Sequence, residues 1–551
     1  MTRNQKIIFA IILAVAAFLI FFRLGRQDLL SDDGHYAFRA LGYYDYMASE
    51  EQTTPLQWFG ERPWWSFLSF HDHPPVYFLV QHFFFKLFGA SVVVSRLTSA
   101  FAALGSTVLI FLLGRRFGGA RFGLLAMAGL ALNNYFIWTG RIGLIESLFV
   151  FWLLLGLLYL WKALRDNPKY FLWAGFIFGL TLLTKYTLLF FAPAILGYLV
   201  WRERRVFAMK QFWLGAAIFL LTISPLVIYN LNMHRTRGHF DVQFSDLFGQ
   251  QHSDWTILTS RIGETNYHPA ETLKNFAAGT NYAYLALVLT GIGIAIRMMW
   301  KENATWPLFM IAMLFVALVF FSYVGGATRW LGVLSPFAAL LAAMAGQFIF
   351  QRRFARWILP VFVFNFLIVI FNANHTLAAP QNPWIASSLR VENEGYNQLD
   401  EAITKLVSGN TVPLATRDVV KNFWFGGIKA EELPLMRQRR GKGTFNSLII
   451  YDANTRWFPV VWTFGRFRTY YGVPAMDSSE FGLVVRDENA RAALDSLGFD
   501  RIYYIHGSEE VNRLSAQSHP ESAIILEGYK KQGRVPEVIR DLAGREAFYI
   551  Y

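Results

Sequence analysis

The chain contains no cysteine. That excludes disulfides, thiolate metal sites and a cysteine nucleophile, and leaves the compartment open. It is also poor in charge. Asp, Glu, Lys and Arg make up 16% of the 551 residues, hydrophobic residues make up 54%, and mean hydropathy is +0.32. A soluble chain of this length carries far more charge, so lipid is the solvent for much of it. A net charge of +13 would point to nucleic acid in a soluble protein. Here the cations lie between apolar runs, where topology explains them, and no nucleic-acid partner is expected. The first apolar run, Ile7 to Phe22, lacks a small-residue cleavage site and leads directly into RLGRQDLL, so it reads as a retained helix. Nor is there an inverted internal repeat of the kind many transporters carry.

What the sequence does have is long apolar segments. Runs able to cross a hydrocarbon core of about 30 Å fall at roughly 7–22, 92–113, 121–139, 142–161, 170–185, 187–201, 212–231, 281–300, 306–324, 330–350 and 357–373. This predicts about eleven spans, with 11–13 the permitted range. The loops GRRFGGAR, KALRDNPK, RERRVFAMK, RMMWK and FQRRFAR follow alternate spans and are strongly basic, which assigns them to the cytoplasm. Arg3 and Lys6 agree, although Arg23 and Arg26 nearly balance them across the first helix. The segment 74–89 is apolar but short and carries His82 and Lys86. Crossing there would invert every later loop, so it is placed in or along the outer interface.

The expected fold is therefore a polytopic α-helical membrane protein with a C-terminal α/β domain outside the membrane. A transmembrane domain spans 1–375, with external loops at 24–91 and 232–280, and the α/β domain spans 376–551. In that domain helix-like stretches (YNQLDEAITKLV, ENARAALDSLGF) alternate with β-type runs (SLIIYD, RIYYIHG, SAIILEG, EAFYIY). The localisation that follows is multi-pass in the inner (plasma) membrane.

Two Asp/His groups bracket the first external loop: Asp32, Asp33, His35 and Tyr36 at its start, and His71, Asp72, His73 and Pro74–Pro75 near its end. Carboxylates at the membrane surface suit general-base chemistry or metal binding. The plainer reading of Asp32 or Asp33 is a cap on a helix through HYAFRAL. Four cations break the charge rule on the outer side: Arg96, Arg141, Lys185 and Arg329. Singly, each could snorkel to the interface. Together, at one level, they suit an anionic lipid phosphate. Glu146, about a turn and a half after Arg141, is placed to neutralise one of them.

The pieces SDDGHYAF, HDHPPVYFLV, RIGLIESLFVFWLLLGLLYL, LTLLTKYTLLFFAPAILGYL and TRWLGVLSPFAALLAA occur in this order over about 30–350. They resemble the C-type (GT-C) membrane glycosyltransferases, in the branch of protein O-mannosyltransferases and lipid A aminoarabinose transferases. The resemblance implies transfer of a sugar from a polyprenyl-phosphate carrier to a lipid, protein or surface-glycan acceptor on the outer face, with inversion. It implies Asp32, Asp33 and Asp72 as catalytic carboxylates, His73 where many relatives have Lys or His, and Lys185 and Arg329 as donor-binding cations; the outer-side charge pattern adds Arg96 and Arg141 to the donor-binding set. Trp330 and Ser335 depart from the family pattern around the last of these. No cofactor is required. A divalent metal is a further option, with His71, Asp72 and His268 offering ligands. The readings from other classes are a lipid or sugar transporter (flippase) and a non-catalytic scaffold.

Overall fold

The computed structural model describes residues 1–45, 53, 55–59, 62–250, 254, 268–280, 282–302, 305–324, 329–351, 357, 359–361, 363–365, 367–368, 392–408, 447–515 and 518–551. Contacts divide the chain into two units, 1–24 with 43–391 and 25–42 with 392–551. The expected boundary at 375 lies outside the described residues.

The first unit is a helical membrane domain. Among the described residues, six helices are long and apolar enough to cross a bilayer: Arg3–Phe21, Val92–Ala131, Ile145–Arg165, Tyr282–Lys301, Trp306–Val324 and Trp330–Phe350. The pair Lys210–Thr222 and Ser224–Arg237, bent by 47°, makes a seventh if counted as one. Eleven spans were expected, and the difference has identifiable sources. Val92–Ala131 is 40 residues long, with non-helical backbone at Gly118 and Gly119. It therefore holds two of the expected spans, joined by the basic GRRFGGAR turn. Its second half stops at Ala131 rather than 139, because Asn133 caps a separate short helix, Asn134–Arg141. Tyr170–Leu182 and Leu188–Arg202 are shorter apolar helices of 13 and 15 residues. In 357–373, residues 358, 362, 366 and 369–373 lie outside the described residues. Val76–Phe88, expected along the interface, is a 13-residue helix. It rises about 20 Å, short of a full crossing.

Small residues let these helices meet closely. A Cβ at Gly175 would collide with the Gly215 carbonyl, which brings Tyr170–Leu182 and Lys210–Thr222 backbone to backbone. The unit's core runs continuously from Leu19 and Ile20 through Phe149, Leu153 and Phe191 to Phe337 and Leu341.

The second unit is a small α/β domain. Its strands are β1 (Ser447–Tyr451), β2 (Ala475–Asp477), β3 (Arg501–Gly507), β4 (Glu537–Arg540) and β5 (Glu546–Ile550), in the order β2-β1-β3-β5-β4. β1 pairs parallel with β2 and β3, while β5 pairs antiparallel with β3 and β4. Helices lie on both faces of the parallel half. Tyr396–Val407 and Arg466–Tyr471 cover Ile449 and Ile505. Ser478–Arg486, Glu488–Ser496 and Pro520–Lys531 cover Leu448, Ile450 and Tyr504. SAIILEG, expected as a strand, lies in the Pro520–Lys531 helix. Pro520 starts it, and Ile525, Leu526 and Tyr529 turn to the sheet at helical spacing.

Residues 25–42 belong to this second unit. Asp28 is buried, and its carboxylate accepts the backbone N–H groups of Glu394, Tyr396 and Asn397 at 2.6, 3.1 and 2.9 Å. These are orphan donors at the start of the Tyr396–Val407 helix. Leu30 enters the same core, and Tyr470 hydrogen-bonds the Phe38 carbonyl at 2.7 Å.

Candidate active site

In the first unit, backbone contacts gather several of the expected residues. The Val76 N–H, just after Pro74–Pro75, donates to the Leu183 carbonyl at 3.0 Å, joining the HDHPP and LTK segments. The Val242 N–H donates to the His71 carbonyl at 2.7 Å, bringing in the segment after Arg237. Around this junction lie three buried aspartates: Asp45, Asp72 and Asp241.

Each is held differently. Asp45 accepts the His71 N–H at 2.8 Å and lies 2.6 Å from His71 Nδ1. Asp72 lies 3.1 Å from His73 Nδ1 and 4.0 Å from His71 Nδ1. Asp241 accepts from the Tyr186 hydroxyl at 2.6 Å, Asn230 Nδ2 at 3.0 Å and the Phe244 N–H at 3.0 Å, the last as N-cap of the Val242–Leu247 helix. Burial still pushes Asp241 above the usual carboxylate range, against those three hydrogen bonds and with Asp72 adding repulsion. Tyr43, a non-glycine residue at φ 52°, is pushed up to about 12 by burial and by Asp45. A left-handed residue beside clustered charge is a common mark of a functional site.

Lys185, the neighbour of Tyr186, forms an ion pair with Glu146, and the two side chains are 16% and 3% exposed. Glu146 thus pairs with Lys185 and not with the nearer-in-sequence Arg141. Arg141 has another task. Its guanidinium donates to the carbonyls of Leu19, Ile20 and Arg23 at 2.7, 2.9 and 3.3 Å, the orphan acceptors at the end of the first helix. Arg96, fully buried, donates to the Leu24 carbonyl at 2.6 Å. Arg329 precedes the turn Trp330–Leu334, which packs on the Asn134–Arg141 and Ile145–Arg165 helices, with Thr139 against Gly332.

Among the described residues, the group suited to a metal ion is Asp45, His71 and Asp72, with ligand atoms within 4.8 Å of one another. His268 is outside it and heads the Pro269–Thr280 helix, its N–H on the Ser322 carbonyl at 3.1 Å.

Asp32 and Asp33 belong to the second unit, in the first turn of the Asp32–Gly42 helix. Asp33 is buried and accepts the Ser31 N–H and hydroxyl at 3.0 and 3.2 Å from inside the first turn, so it ties down the residue ahead of the helix and is not the N-cap expected of it. Asp32 is less buried and accepts from the Tyr36 hydroxyl at 3.2 Å.

Sequence reasoning missed Asp45 and Asp241, which sit in no motif. The one local signal was for Asp241, a plain N-cap before VQFSDL.

The model of the dolichyl-phosphate-mannose-protein mannosyltransferase family matches residues 72–229, which hold Asp72, Glu146 and Lys185. No curated protein matches the chain in sequence. In fold it is similar to ArnT from Cupriavidus metallidurans bound to undecaprenyl phosphate, at 14% identity and a TM-score of 0.58, covering 100% of this chain and 98% of that one. It is also similar to the oligosaccharyltransferase AglB from Archaeoglobus fulgidus, in complex with an inhibitory peptide and a dolichol-phosphate, at 12% identity and a TM-score of 0.50, covering 92% of this chain and 69% of that one. At these identities the likeness is one of fold.

Proposed function

We propose that the chain, which shares the fold of ArnT and AglB, is a C-type membrane glycosyltransferase that moves a sugar from a polyprenyl-phosphate carrier to an acceptor on the outer face of the membrane. The observation that carries this reading is the pair of half-buried Lys185 and buried Glu146, joined through Tyr186 to the aspartate cluster. An ammonium at membrane depth is costly unless a counter-ion or a wet site holds it. Glu146 supplies that counter-ion, and an incoming lipid phosphate offers a second.

The reaction is a displacement at the anomeric carbon. The acceptor oxygen bonds to that carbon as the bond to the phosphate oxygen breaks, and configuration inverts. Lys185 and Arg329 stabilise charge as it builds on the departing phosphate. Asp72 orients the reacting groups and receives the acceptor's proton. The sequence resemblance also names Asp32 and Asp33, in the second unit, for a carboxylate role. Arg141 and Arg96 act indirectly, by fixing the end of the first helix. The test is transfer of radiolabelled sugar from lipid to acceptor in membranes carrying the chain. Near-normal turnover by Asp32→Asn would remove that residue from the chemistry. Substrate crossing proteoliposomes with no covalent transfer would replace the enzyme by a flippase.

A divalent cation is a second element of the proposal. Asp45, His71 and Asp72 combine two carboxylates and an imidazole, a donor set that manganese or zinc accepts. The cation would lower the repulsion among the clustered aspartates. A strong chelator is expected to reduce transfer, and manganese or zinc to restore it. Full activity in the chelator's presence would exclude an essential exchangeable ion.

A further inference from the structure

The two faces of β5 and β4 differ in character. One carries Phe548 and Ile539, 1% and 8% exposed, beneath the Tyr396–Val407 helix. The other carries Tyr549 paired with Val538, and continues along β5 to Tyr551. The Pro520–Lys531 helix reaches this side over β3, where Tyr529 lies against Tyr504. Tyr529, Tyr549 and Tyr551 remain half-buried, and Val538 is 37% exposed.

Their rings are linked through buried Tyr504 and through His506, whose centroids are 6.0 Å apart. Tyr529 and Tyr551 have centroids 5.7 Å apart, Tyr504 and Tyr551 6.4 Å, and His506 and Tyr549 6.4 Å with the last two pairs stacked. Polar groups edge these rings in fixed positions. The Tyr549 hydroxyl donates to Glu546 at 2.8 Å, Arg540 donates to the other oxygen of Glu546 at 2.8 Å, and Arg534 lies 4.9 Å over the Tyr529 ring. His506 is oriented by buried Asp452, whose Oδ2 is 2.7 Å from Nδ1, and the imidazole is 17% exposed. This pair stands at the carboxyl ends of β1 and β3. There the chain leaves β1 for β2 on one side and returns to β3 on the other, the switch point where open α/β sheets place ligands.

We propose that this face is a carbohydrate-binding site, on which sugar rings of a glycan lie against Tyr529, Tyr549 and Tyr551 while their hydroxyls meet His506, Glu546 and Arg534. Tyrosine combines an apolar ring face with a polar tip, and suits a surface that is half wet. The face hidden beneath a helix uses Phe and Ile instead. The edge carries both charge signs in planar, bidentate side chains, which suits hydroxyl-rich ligands better than a lipid surface or a polyanion. The choice of a glycan as occupant rests on the transferase reading. The site's residues belong to the second unit and Lys185 to the first.

The experiment uses the full chain in detergent, fluorescently labelled, on an array of immobilised neutral and anionic oligosaccharides. Capture by at least one glycan class is expected. Tyr549→Ala and Tyr551→Ala should each weaken that capture by roughly tenfold, and Tyr549→Phe, which keeps the ring, by less than about threefold. Val538→Glu, on an exposed position of the same face, should weaken it without loading the core. Lys185→Ala should bind as the parent does, so loss of transfer and loss of glycan capture are read separately. No capture by any glycan, or capture unchanged in Tyr551→Ala and Val538→Glu together, overturns the proposal.

Discussion

Each unit buries aspartate against histidine, with opposite charge balance. In the membrane unit Asp45, Asp72 and Asp241 crowd together near His71, His73 and Tyr186, and burial holds Asp241 above its usual range. In the second unit Asp452 receives the Asn454 N–H at 2.9 Å, Asn512 Nδ2 at 2.8 Å and His506 Nδ1 at 2.7 Å. Burial raises Asp452 too, but the hydrogen bonds from His506 and Ser522 more than offset it and hold it near 2. A carboxylate matched by donors fixes local structure. Several carboxylates gathered in one low-dielectric place cost free energy that folding alone does not require. That difference is the physical ground on which the membrane unit is proposed as the place for chemistry.

The largest effect that would break this contrast is at Lys185. Lys185→Ala should lower transfer by roughly 10²–10³-fold, as losing one preorganised charge donor does, while the membrane unit stays folded. Lys185→Arg should recover part of it. The measurement is single-turnover transfer of labelled sugar in membranes, with detergent extraction profiles as the folding control. An unimpaired Lys185→Ala would reduce the Glu146 pair to a packing element.

How far the sequence could foretell this contrast follows from the range of each signal. Apolar runs and basic turns are local, so the helical unit and its α/β companion are legible from composition. His71, Asp72, His73 and Lys185 are legible as dense or misplaced polar groups in apolar surroundings. Asp45 and Asp241 are not, since each is a single Asp in an ordinary loop and is brought to the others by long-range contacts such as the His71–Val242 and Asp45–His71 bonds. Glu146 shows how spacing misleads. Arg141 is five residues away, yet the guanidinium is committed to the first helix's carbonyls, and Lys185 arrives from the next helical pair. The membership of 25–42 in the second unit has no local signal either. It depends on Asp28 capping a helix more than 360 residues later in the chain.

A pH experiment sharpens the comparison from the second unit's side. Burial pushes Glu394 up to about 7 from 4.5, although Arg456 opposes the shift. The unfolded chain releases that proton near 4.5 and the folded unit keeps it to about 7, so stability falls as pH rises across this window and levels off above it. The contribution is roughly 3 kcal/mol. Asp400 and Glu480 are raised by burial in the same unit and add slope of the same sign. Glu394→Gln should therefore flatten the dependence in part. Hydrogen exchange of the second unit's strands at pH 5 and pH 8, in parent and variant, measures the difference, and parallel pH profiles would refute the assignment.

The smallest of these effects is at Asp452, where the sign reverses. Its carboxylate titrates near 2 when folded and near 3.8 when unfolded. The stabilisation is complete above about pH 4 and disappears as pH falls through about 2, and amounts to roughly 2 kcal/mol. Asp452→Asn should cost about that much at neutral pH, because its amide group turns a donor toward His506 and Asn512, which are donors themselves. The loss should appear as faster exchange in β1 and β3, with no change in lipid-sugar turnover. If transfer failed while those strands stayed protected, the aspartate–histidine pair of the second unit would be chemical after all, and the contrast between the two units would no longer hold.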